Sequence, residues 1–285
     1  DWAPLGRGLP STADLYIANR SDKLIRAMPR AGRTVFWIHN PARYILKWRY
    51  LWKLFATRPA IVFIGAYHAT TCPTWVPDGG RAVIPYGVPE QFRNAMPGQG
   101  MPGPRAVFTS NPLRGLDWLL DLWAESIQPH VEGASLHVFS GPTVYGQVGA
   151  DKAVEMQAVL DKAAALTDKG VVLRGPVPKR QLIEEFRQAR AMVYRGTSDE
   201  TFCLAVAEAQ AMGVPCVVRN FGSMPERVDD GRTGFVAKDE ADFAAAAVEL
   251  LRDDALWQRQ HDAALAGQRK WSWADAAQAF ENLGS

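Results

Sequence analysis

This sequence has few cysteines, a small net charge and no long apolar runs, and each of these features argues against a class of protein. The 3 cysteines lack metal-ligand spacing, so they favour reduced thiols in a cytoplasmic protein over a disulfide framework. A net charge of +2 is too small to indicate nucleic-acid binding by itself. No run approaches the roughly 18 apolar residues that cross a membrane, and the first residues do not resemble a signal peptide. The remaining composition, 47% hydrophobic and 22% charged, is typical of a soluble globular chain, and 285 residues are enough for two domains.

Strand-like runs alternate with helical segments along the chain. Buried strands are predicted at 34–38 and 60–65, and the pattern restarts with a strand at 106–110. Alternating strands and helices predict parallel sheets, so we expect an α/β protein with two domains. The stretch 96–104 is too rich in glycine and proline to hold regular structure. The predicted segments are a first domain at 1–95, a linker at 96–104, a second domain at 105–270 and a C-terminal helix at 271–285 that returns to the first domain.

One predicted helix carries two glutamates. It runs over 199–211, starts with acidic and hydroxyl residues and ends at Gly213. Glu200 at its start and Glu208 would lie about 80° apart around the axis and about 12 Å apart along it. Glu208 is surrounded by alanines, so its carboxylate needs a partner if the helix is buried. The common alternative is a terminal charge that favours the helix dipole plus a salt-bridged or solvated Glu208.

Two further positions combine polar groups with the ends of predicted elements. His39 follows the strand at 34–38, and ligands of parallel sheets collect at the carboxyl ends of strands. An ordinary capping or core histidine is the alternative. Arg114 and Gly115 form a turn into a helix, where a guanidinium and free helix amides converge on an anion. The common alternative is a solvent-exposed Arg-Gly turn without a ligand.

Taken together, these motifs resemble the donor site of retaining glycosyltransferases with two Rossmann-like domains, the GT-B architecture. The spacing Glu-x7-Glu, continued by Glu-Ala-x-Ala-x-Gly-x-Pro-x-Val, is similar to that of the family 4 group (glycosyl transferases group 1). The resemblance is strong over 103–285 and weaker over 13–95. The opening strands and glycine-rich loop of such a first domain have no counterpart before 13, so we expect a truncated N-terminal domain, whether natural or trimmed.

The resemblance implies roles for individual residues. Glu200 is expected to read hydroxyls of the transferred sugar, Glu208 to hold the ribose diol, and Arg114 to hold the diphosphate. His39 is expected to contact the sugar near the reaction centre, so the implied catalytic set is His39, Glu200 and Arg114. The implied donor-binding set is Thr109, Ser110, Arg114, Gly115, Gly141, Val177, Glu200, Phe202, Cys203, Leu204 and Glu208.

The sequence departs from the family pattern at two positions of the expected donor site. Relatives usually have an arginine six residues before Arg114, where this chain has Phe108, and the hydroxyls of Thr109 and Ser110 are expected to substitute only partly. Cys203 stands where many relatives have glycine, so the fit against the donor is expected to differ in detail there.

The implied function is transfer of a sugar, with retention, from a nucleotide diphosphate sugar to a hydroxyl acceptor in glycan or lipopolysaccharide-type biosynthesis. No Asp-x-Asp signature occurs, so we expect no metal and no cofactor, with a UDP- or GDP-sugar as substrate. No carboxylate obviously serves as the nucleophile of a double displacement. One alternative is a non-catalytic nucleotide-sugar binder or scaffold. Another is an epimerase or phosphorylase, which the spaced glutamates and the lack of an identifiable pyridoxal lysine disfavour.

A segment rich in both bases and aromatics, 42–58, is predicted to be helical. Such a helix can lie on an anionic membrane surface or shape an acceptor cleft. The favoured interpretation is a helix packed by its aromatic side chains with its bases in water. The protein is accordingly expected in the cytoplasm, with peripheral contact at the inner membrane face as the minority hypothesis.

Overall fold

The computed structural model describes residues 8, 10–142 and 150–284, which divide into two units built on parallel sheets. Unit 1 combines the chain up to Gly87 with Asp199–Phe202 and the end of the chain from Ser272, and unit 2 contains Val88–Ser198 and Cys203–Trp271. No helix in the described ranges is long and apolar enough to cross a bilayer.

The strands are β1 (Ala13–Asn19), β2 (Ala31–Trp37), β3 (Ala60–Phe63), β4 (Arg81–Val83), β5 (Arg105–Phe108), β6 (Ser135–Val138), β7 (Val171–Leu173), β8 (Ala191–Tyr194), β9 (Cys216–Arg219) and β10 (Gly234–Ala237). The α-helices are α1 (Trp48–Thr57), α2 (Ala66–Thr70), α3 (Glu90–Arg93), α4 (Leu116–Leu122), α5 (Ala153–Ala165), α6 (Lys179–Arg187), α7 (Leu204–Ala211), α8 (Met224–Arg227), α9 (Glu240–Arg252), α10 (Asp254–Gln268) and α11 (Trp273–Glu281). Helix α4 continues as a π-helical segment, Trp123–Ile127, and short 3-10 segments lie at Ala42–Leu46, Gln128–His130 and Thr167–Lys169.

Unit 1 is a four-stranded parallel sheet in the order β1-β2-β3-β4. Strand β3 is buried along its whole length, as expected of an inner parallel strand covered on both faces. Helix α1 buries Tyr50 and Leu54 in the same core as Phe36 and Phe63. The helix predicted over 42–58 is broken, because extended backbone at Lys47 (ψ 141°) separates the 3-10 segment from α1.

Unit 2 is a six-stranded parallel sheet in the order β10-β9-β8-β5-β6-β7. The chain starts in the middle at β5, moves outward through β6 and β7, and then returns to the other side of β5 with β8, β9 and β10. The strand order therefore reverses between β5 and β8, which is the place where doubly wound sheets bind their ligands. Each sheet confirms the Rossmann-like α/β class predicted from the sequence.

Candidate active site

The reversal point of unit 2 brings together residues from two loops. Thr109 and Ser110 follow β5, while Arg195 and Gly196 follow β8, and the two strands are adjacent in parallel register (Val107 beside Met192). The carboxyl ends of the strands therefore open onto one crevice. Thr109 Oγ1 is buried and has no hydrogen-bond partner among the described residues. The Thr109 hydroxyl, which was predicted to bind the donor, thus makes no hydrogen bond within the described residues that a ligand would have to replace.

The loop after β5 holds Arg114 at the start of a helix. Asn111 shapes the turn, because its Oδ1 accepts a hydrogen bond from the Leu113 amide and its carbonyl accepts one from the Arg114 amide, both at 2.9 Å. Gly115 closes the turn with φ 87°, a left-handed conformation that glycine adopts at little cost. Helix α4 begins at the next residue, so the exposed Arg114 lies beside amides that carry the positive end of the helix dipole.

Arg195 is a second cation at this turn, and the sequence reasoning missed it. A Cβ added to Gly115 would lie 2.8 Å from Arg195 Cβ and Cδ, so the two residues pack without room for another side chain. The Arg195 guanidinium carbon lies 5.5 Å from the ring centroids of both Trp118 and Phe221. Its Nε is buried without a hydrogen-bond partner in the part of the chain that the structure describes. In the sequence, Arg195 is recognisable only as an arginine directly after a strand-like run.

A small cavity extends from Arg195 along the loop after β8. It has a volume of about 180 Å³ and is lined by Arg195, Gly196, Thr197, Ser198 and Phe221. Its lining is mostly a guanidinium, two hydroxyl-bearing residues and a glycine backbone, which together suit a polar or anionic group.

The loops after β6 and β7 join the same edge of the sheet. Ser140 Oγ donates a hydrogen bond to the Ser110 carbonyl, which ties the loop after β6 to the loop after β5. A Cβ on Gly141 would lie 3.0 Å from Pro176 Cδ, so the third loop packs closely against the second. Val177 follows, half-buried, two residues before α6. The structure thus gathers Thr109, Ser110, Gly141 and Val177 at the carboxyl edge.

Glu208 lies in α7 and is 2% exposed. Its partner is Lys179, the first residue of α6, whose side chain is 51% exposed. Burial raises the pKa of Glu208 above its ordinary value, and the ammonium of Lys179 opposes that shift only in part. The requirement for a partner, predicted from the alanine-rich surroundings, is confirmed.

The sequence predicted that Glu200 lies at the start of this helix, and the structure shows that it does not. Helix α7 starts at Leu204, and Cys203 before it has φ 63°, a left-handed conformation that ends a right-handed helical path. The expected two-turn geometry between Glu200 and Glu208 is therefore wrong. Glu200 is nonetheless buried, at 6% exposure, and belongs with Asp199–Phe202 to unit 1. Glycine would adopt the left-handed backbone at 203 at little cost.

His39 lies just after β2, as predicted, within a polar and aromatic cluster of unit 1. Its Nε2 lies 2.7 Å from Asn19 Oδ1 and its Nδ1 contacts the Tyr86 hydroxyl. Burial, followed by the charge of Arg20, lowers the pKa of His39 to about 4. The neutral ring therefore donates from Nε2 to Asn19 and accepts at Nδ1 from Tyr86, the tautomer that satisfies both bonds.

The segment containing Glu200 contacts this histidine directly. Thr201 Oγ1 donates a hydrogen bond of 2.6 Å to the His39 carbonyl, and the ring of Phe202 lies 5.0 Å from that of Tyr86. Two of the predicted catalytic residues, His39 and Glu200, are thus held within one unit. Nothing in the sequence indicated that Tyr86 is the aromatic partner of His39.

Within the described residues, no three histidine, cysteine, aspartate or glutamate side chains come together as a metal site. Metal independence stays a prediction.

Comparison with known proteins identifies relatives for much of the chain. Residues 103–253 match the family described as Glycosyl transferases group 1. A D-inositol 3-phosphate glycosyltransferase from Streptomyces avermitilis is 34% identical over 175 residues, which are 60% of this chain and 37% of that protein. The chain therefore spans little more than a third of the length of this relative.

Two solved structures share the fold of the chain at low sequence identity. The crystal structure of TarM superimposes with a TM-score of 0.75 at 14% identity, covering 99% of this chain and 57% of TarM. The structure of HepE from Anabaena, in complex with UDP and glucose, superimposes with a TM-score of 0.72 at 15% identity, covering 95% of this chain and 78% of HepE.

Proposed function

Because this chain belongs to the Glycosyl transferases group 1 family and has the GT-B fold, we propose that it transfers a sugar from a nucleotide diphosphate sugar to a hydroxyl acceptor. The transfer is proposed to retain the anomeric configuration, with an acceptor hydroxyl on a glycan or lipid-linked glycan. The observation that carries the proposal is the set of polar groups around the reversal point of unit 2. There the exposed Arg114, the buried Thr109 hydroxyl and the guanidinium of Arg195 lie at adjoining loops.

The proposed transfer requires stabilisation of the negative charge that develops on the departing nucleoside diphosphate. Arg114 and the first amides of α4 are suited to that charge, because preorganised donors stabilise developing anions without reorganisation. Arg195 adds a second guanidinium at the same turn and is proposed to compensate for Phe108, where relatives carry an arginine. Glu208 is proposed to accept hydrogen bonds from the ribose diol, for which an ionised buried carboxylate is a strong acceptor.

The residues of unit 1 are proposed to orient the sugar. Glu200 would accept hydrogen bonds from sugar hydroxyls, and neutral His39 would donate one from Nε2 in place of its present bond to Asn19. Since the pKa of His39 is about 4, its role near neutral pH is orientation and not proton transfer. We propose a front-face mechanism, in which the acceptor approaches from the side on which the diphosphate departs. The leaving diphosphate takes the acceptor proton, so no side chain needs to act as a general base.

The donor nucleotide is best tested first with uridine, because the neighbouring structure of HepE holds UDP and glucose. A thermal-shift panel of UDP, GDP and their sugars compares ligands by mass action, since a ligand that binds the folded protein raises its melting temperature. Product analysis with the stabilising sugar then tests the transfer itself. Nucleotide binding without transfer or hydrolysis would assign the chain to a non-catalytic binder, and the absence of any stabilising nucleotide would refute both.

A further inference from the structure

Charge is strongly segregated in the first third of the sequence. Between Asp22 and Asp78 there is no aspartate or glutamate, while 9 lysines and arginines occur. They are Lys23, Arg26, Arg30, Arg33, Arg43, Lys47, Arg49, Lys53 and Arg58. The two bordering acids are already paired, Asp22 with Lys53 at 2.8 Å and Asp78 with Arg81 at 2.8 Å. This part of unit 1 therefore carries a large positive excess on a chain of nearly neutral total charge.

Helix α1 has a second apolar face that the core does not use. Tyr50 and Leu54 are buried, whereas Trp48, Trp52 and Phe55 are 77%, 36% and 67% exposed. The exposed side chains follow the spacing i, i+4, i+7 and are centred about 150° around the helix from the buried pair. The favoured sequence interpretation, a helix packed by its aromatics, is therefore wrong for these three residues.

The exposed face forms one wall of a shallow apolar groove. The groove is lined by Trp48, Leu51, Trp52, Phe55, Trp75 and Pro77 and has a volume of about 310 Å³. Trp75, on the loop after α2, is itself 62% exposed. We call these six residues the aromatic groove. An exposed apolar patch of this kind on a charged surface marks an interaction site.

Cations border the aromatic groove and stack on its rings. The Arg26 guanidinium lies 5.2 Å and the Lys53 ammonium 5.5 Å from the Trp52 ring centroid, and the Arg58 guanidinium lies 5.9 Å from that of Phe55. The surface thus combines indole and phenyl rings with three cations that lie over them, of which Lys53 is also paired with Asp22.

We propose that the aromatic groove and its basic border bind the surface of an anionic phospholipid bilayer. Tryptophan prefers the headgroup level of a membrane, where its ring is buried and its N–H stays hydrated. Phenylalanine and leucine on the same helix face would reach the acyl boundary, and bases near the surface add electrostatic attraction to anionic headgroups. A second copy of this chain fits poorly, because pairing the face with itself would bring two positive surfaces together.

The test is co-sedimentation of the full chain with vesicles of phosphatidylcholine alone and of equal parts phosphatidylcholine and phosphatidylglycerol. We expect binding to the anionic vesicles only, weakened by added salt because the charges are exposed. The double variant Trp48→Ser with Phe55→Ser is expected to bind at least about tenfold more weakly, since it removes two rings from the buried area. Both side chains are exposed in the free protein, so its melting temperature should stay close to that of the parent.

Charge-reversal and control variants separate the electrostatic contribution to vesicle binding from the apolar one. Arg26→Glu with Arg58→Glu, which reverses two of the cations lying over the Trp52 and Phe55 rings, should abolish binding to anionic vesicles. Val154→Ser, an exposed apolar residue (85%) in unit 2, and Arg259→Glu, on α10, should leave it unchanged.

The outcomes that would overturn the proposal are equally concrete. Vesicle binding that is absent, or that both groove variants retain, would exclude this surface as the membrane contact. Tighter retention of single-stranded RNA than of anionic vesicles would assign the groove to nucleic acid. A concentration-dependent dimer that the Trp48→Ser and Phe55→Ser variant abolishes, without vesicle binding, would assign it to a second copy.

Discussion

Two buried glutamates of unit 2 provide a matched test of the proposed ribose contact. Glu208 and Glu185 are 2% and 6% exposed, and both form ion pairs. Burial raises the pKa of Glu208 and Lys179 only partly opposes it. Burial would also raise the pKa of Glu185, but hydrogen bonds and charges from Arg105 and Arg174 outweigh it, so that this pKa is lowered.

Because the pKa of Glu208 is raised and that of Glu185 is lowered, the two residues affect the pH dependence of stability in opposite directions. Between the ordinary carboxyl pKa and the raised pKa of Glu208, the folded protein binds more protons than the unfolded chain, so the contribution of Glu208 to stability falls as pH rises. The lowered pKa of Glu185 contributes stability above its unfolded pKa, and that stability is lost as pH falls through the folded pKa. An ionised Glu208 is therefore a cost to the fold near neutral pH, whereas an ionised Glu185 supports it.

Substitution by glutamine should reveal the difference. Glu208→Gln removes the charge partner of Lys179, but the Lys179 side chain is 51% exposed and its ammonium can be hydrated. The free energy of unfolding near neutral pH should therefore stay within about 1 kcal/mol of the parent or rise. Glu185→Gln leaves Arg105 without its charge partner and should cost about 2–3 kcal/mol. This is less than the usual ~3–5 for a buried pair, because Arg174 is 39% exposed and solvent screens it.

The effects on nucleotide affinity should be the opposite of those on stability: Glu208→Gln should weaken binding, and Glu185→Gln should not. The loss of charge-assisted bonds worth about 1.5–3 kcal/mol predicts that Glu208→Gln weakens binding by about 10- to 100-fold, and Glu208→Ala by more than about tenfold. Glu185→Gln should bind as the parent does. Urea unfolding at mildly acidic and neutral pH gives the stabilities, and calorimetric titration with the best nucleotide diphosphate gives the affinities. If Glu208→Gln binds like the parent, or if Glu185→Gln weakens binding equally, the ribose assignment is refuted.

Further substitutions test the turn, the helix start and the histidine. Gly115→Ala should destabilise by more than about 1 kcal/mol in urea unfolding, because it combines a positive φ with a Cβ 2.8 Å from Arg195, and a neutral result would contradict the packing described. Arg195→Gln should weaken diphosphate binding about tenfold in titration and flatten its salt dependence, and unchanged salt dependence would count against a phosphate contact. Cys203→Gly should relieve the backbone at φ 63° and keep stability within about 1 kcal/mol, whereas Cys203→Val should lose about 2 kcal/mol or more, and equal melting temperatures would speak against strain. Tyr86→Phe removes a donor to His39 and should shift the histidine titration measured by NMR, and an unshifted titration would show that the hydroxyl is not its partner.

Residue chemistry and strand spacing were enough to predict the parallel α/β architecture and several local arrangements. The alanine-rich surroundings of Glu208 indicated that its carboxylate needs a partner, and the position of His39 after a buried strand was correct. The pattern could not identify Lys179, because that partner comes from another helix, 29 residues earlier in the chain. Neither could it identify Arg195, whose importance depends on which strands are neighbours in the sheet.

The wrong predictions also have local causes. The acidic and hydroxyl residues at 199–201 have the chemistry of a helix start, but they are bound within unit 1, where Thr201 donates to the His39 carbonyl. Tertiary contacts therefore override capping preference. The aromatics of α1 were expected to pack inward, and helical periodicity alone does not tell which of two apolar faces meets the core.

The four residues Asp199–Phe202 belong to unit 1, while the chain on either side belongs to unit 2. No single cut in the chain can release either unit intact, because a continuous piece from Val88 to Trp271 would carry this tetrapeptide without the surroundings that bury it. Thermal melting of unit 1 would likewise free the backbone immediately before Cys203, so the loss of one unit loosens the entry to α7 in the other. Domain exchange with related enzymes therefore has to move three separated stretches of chain together.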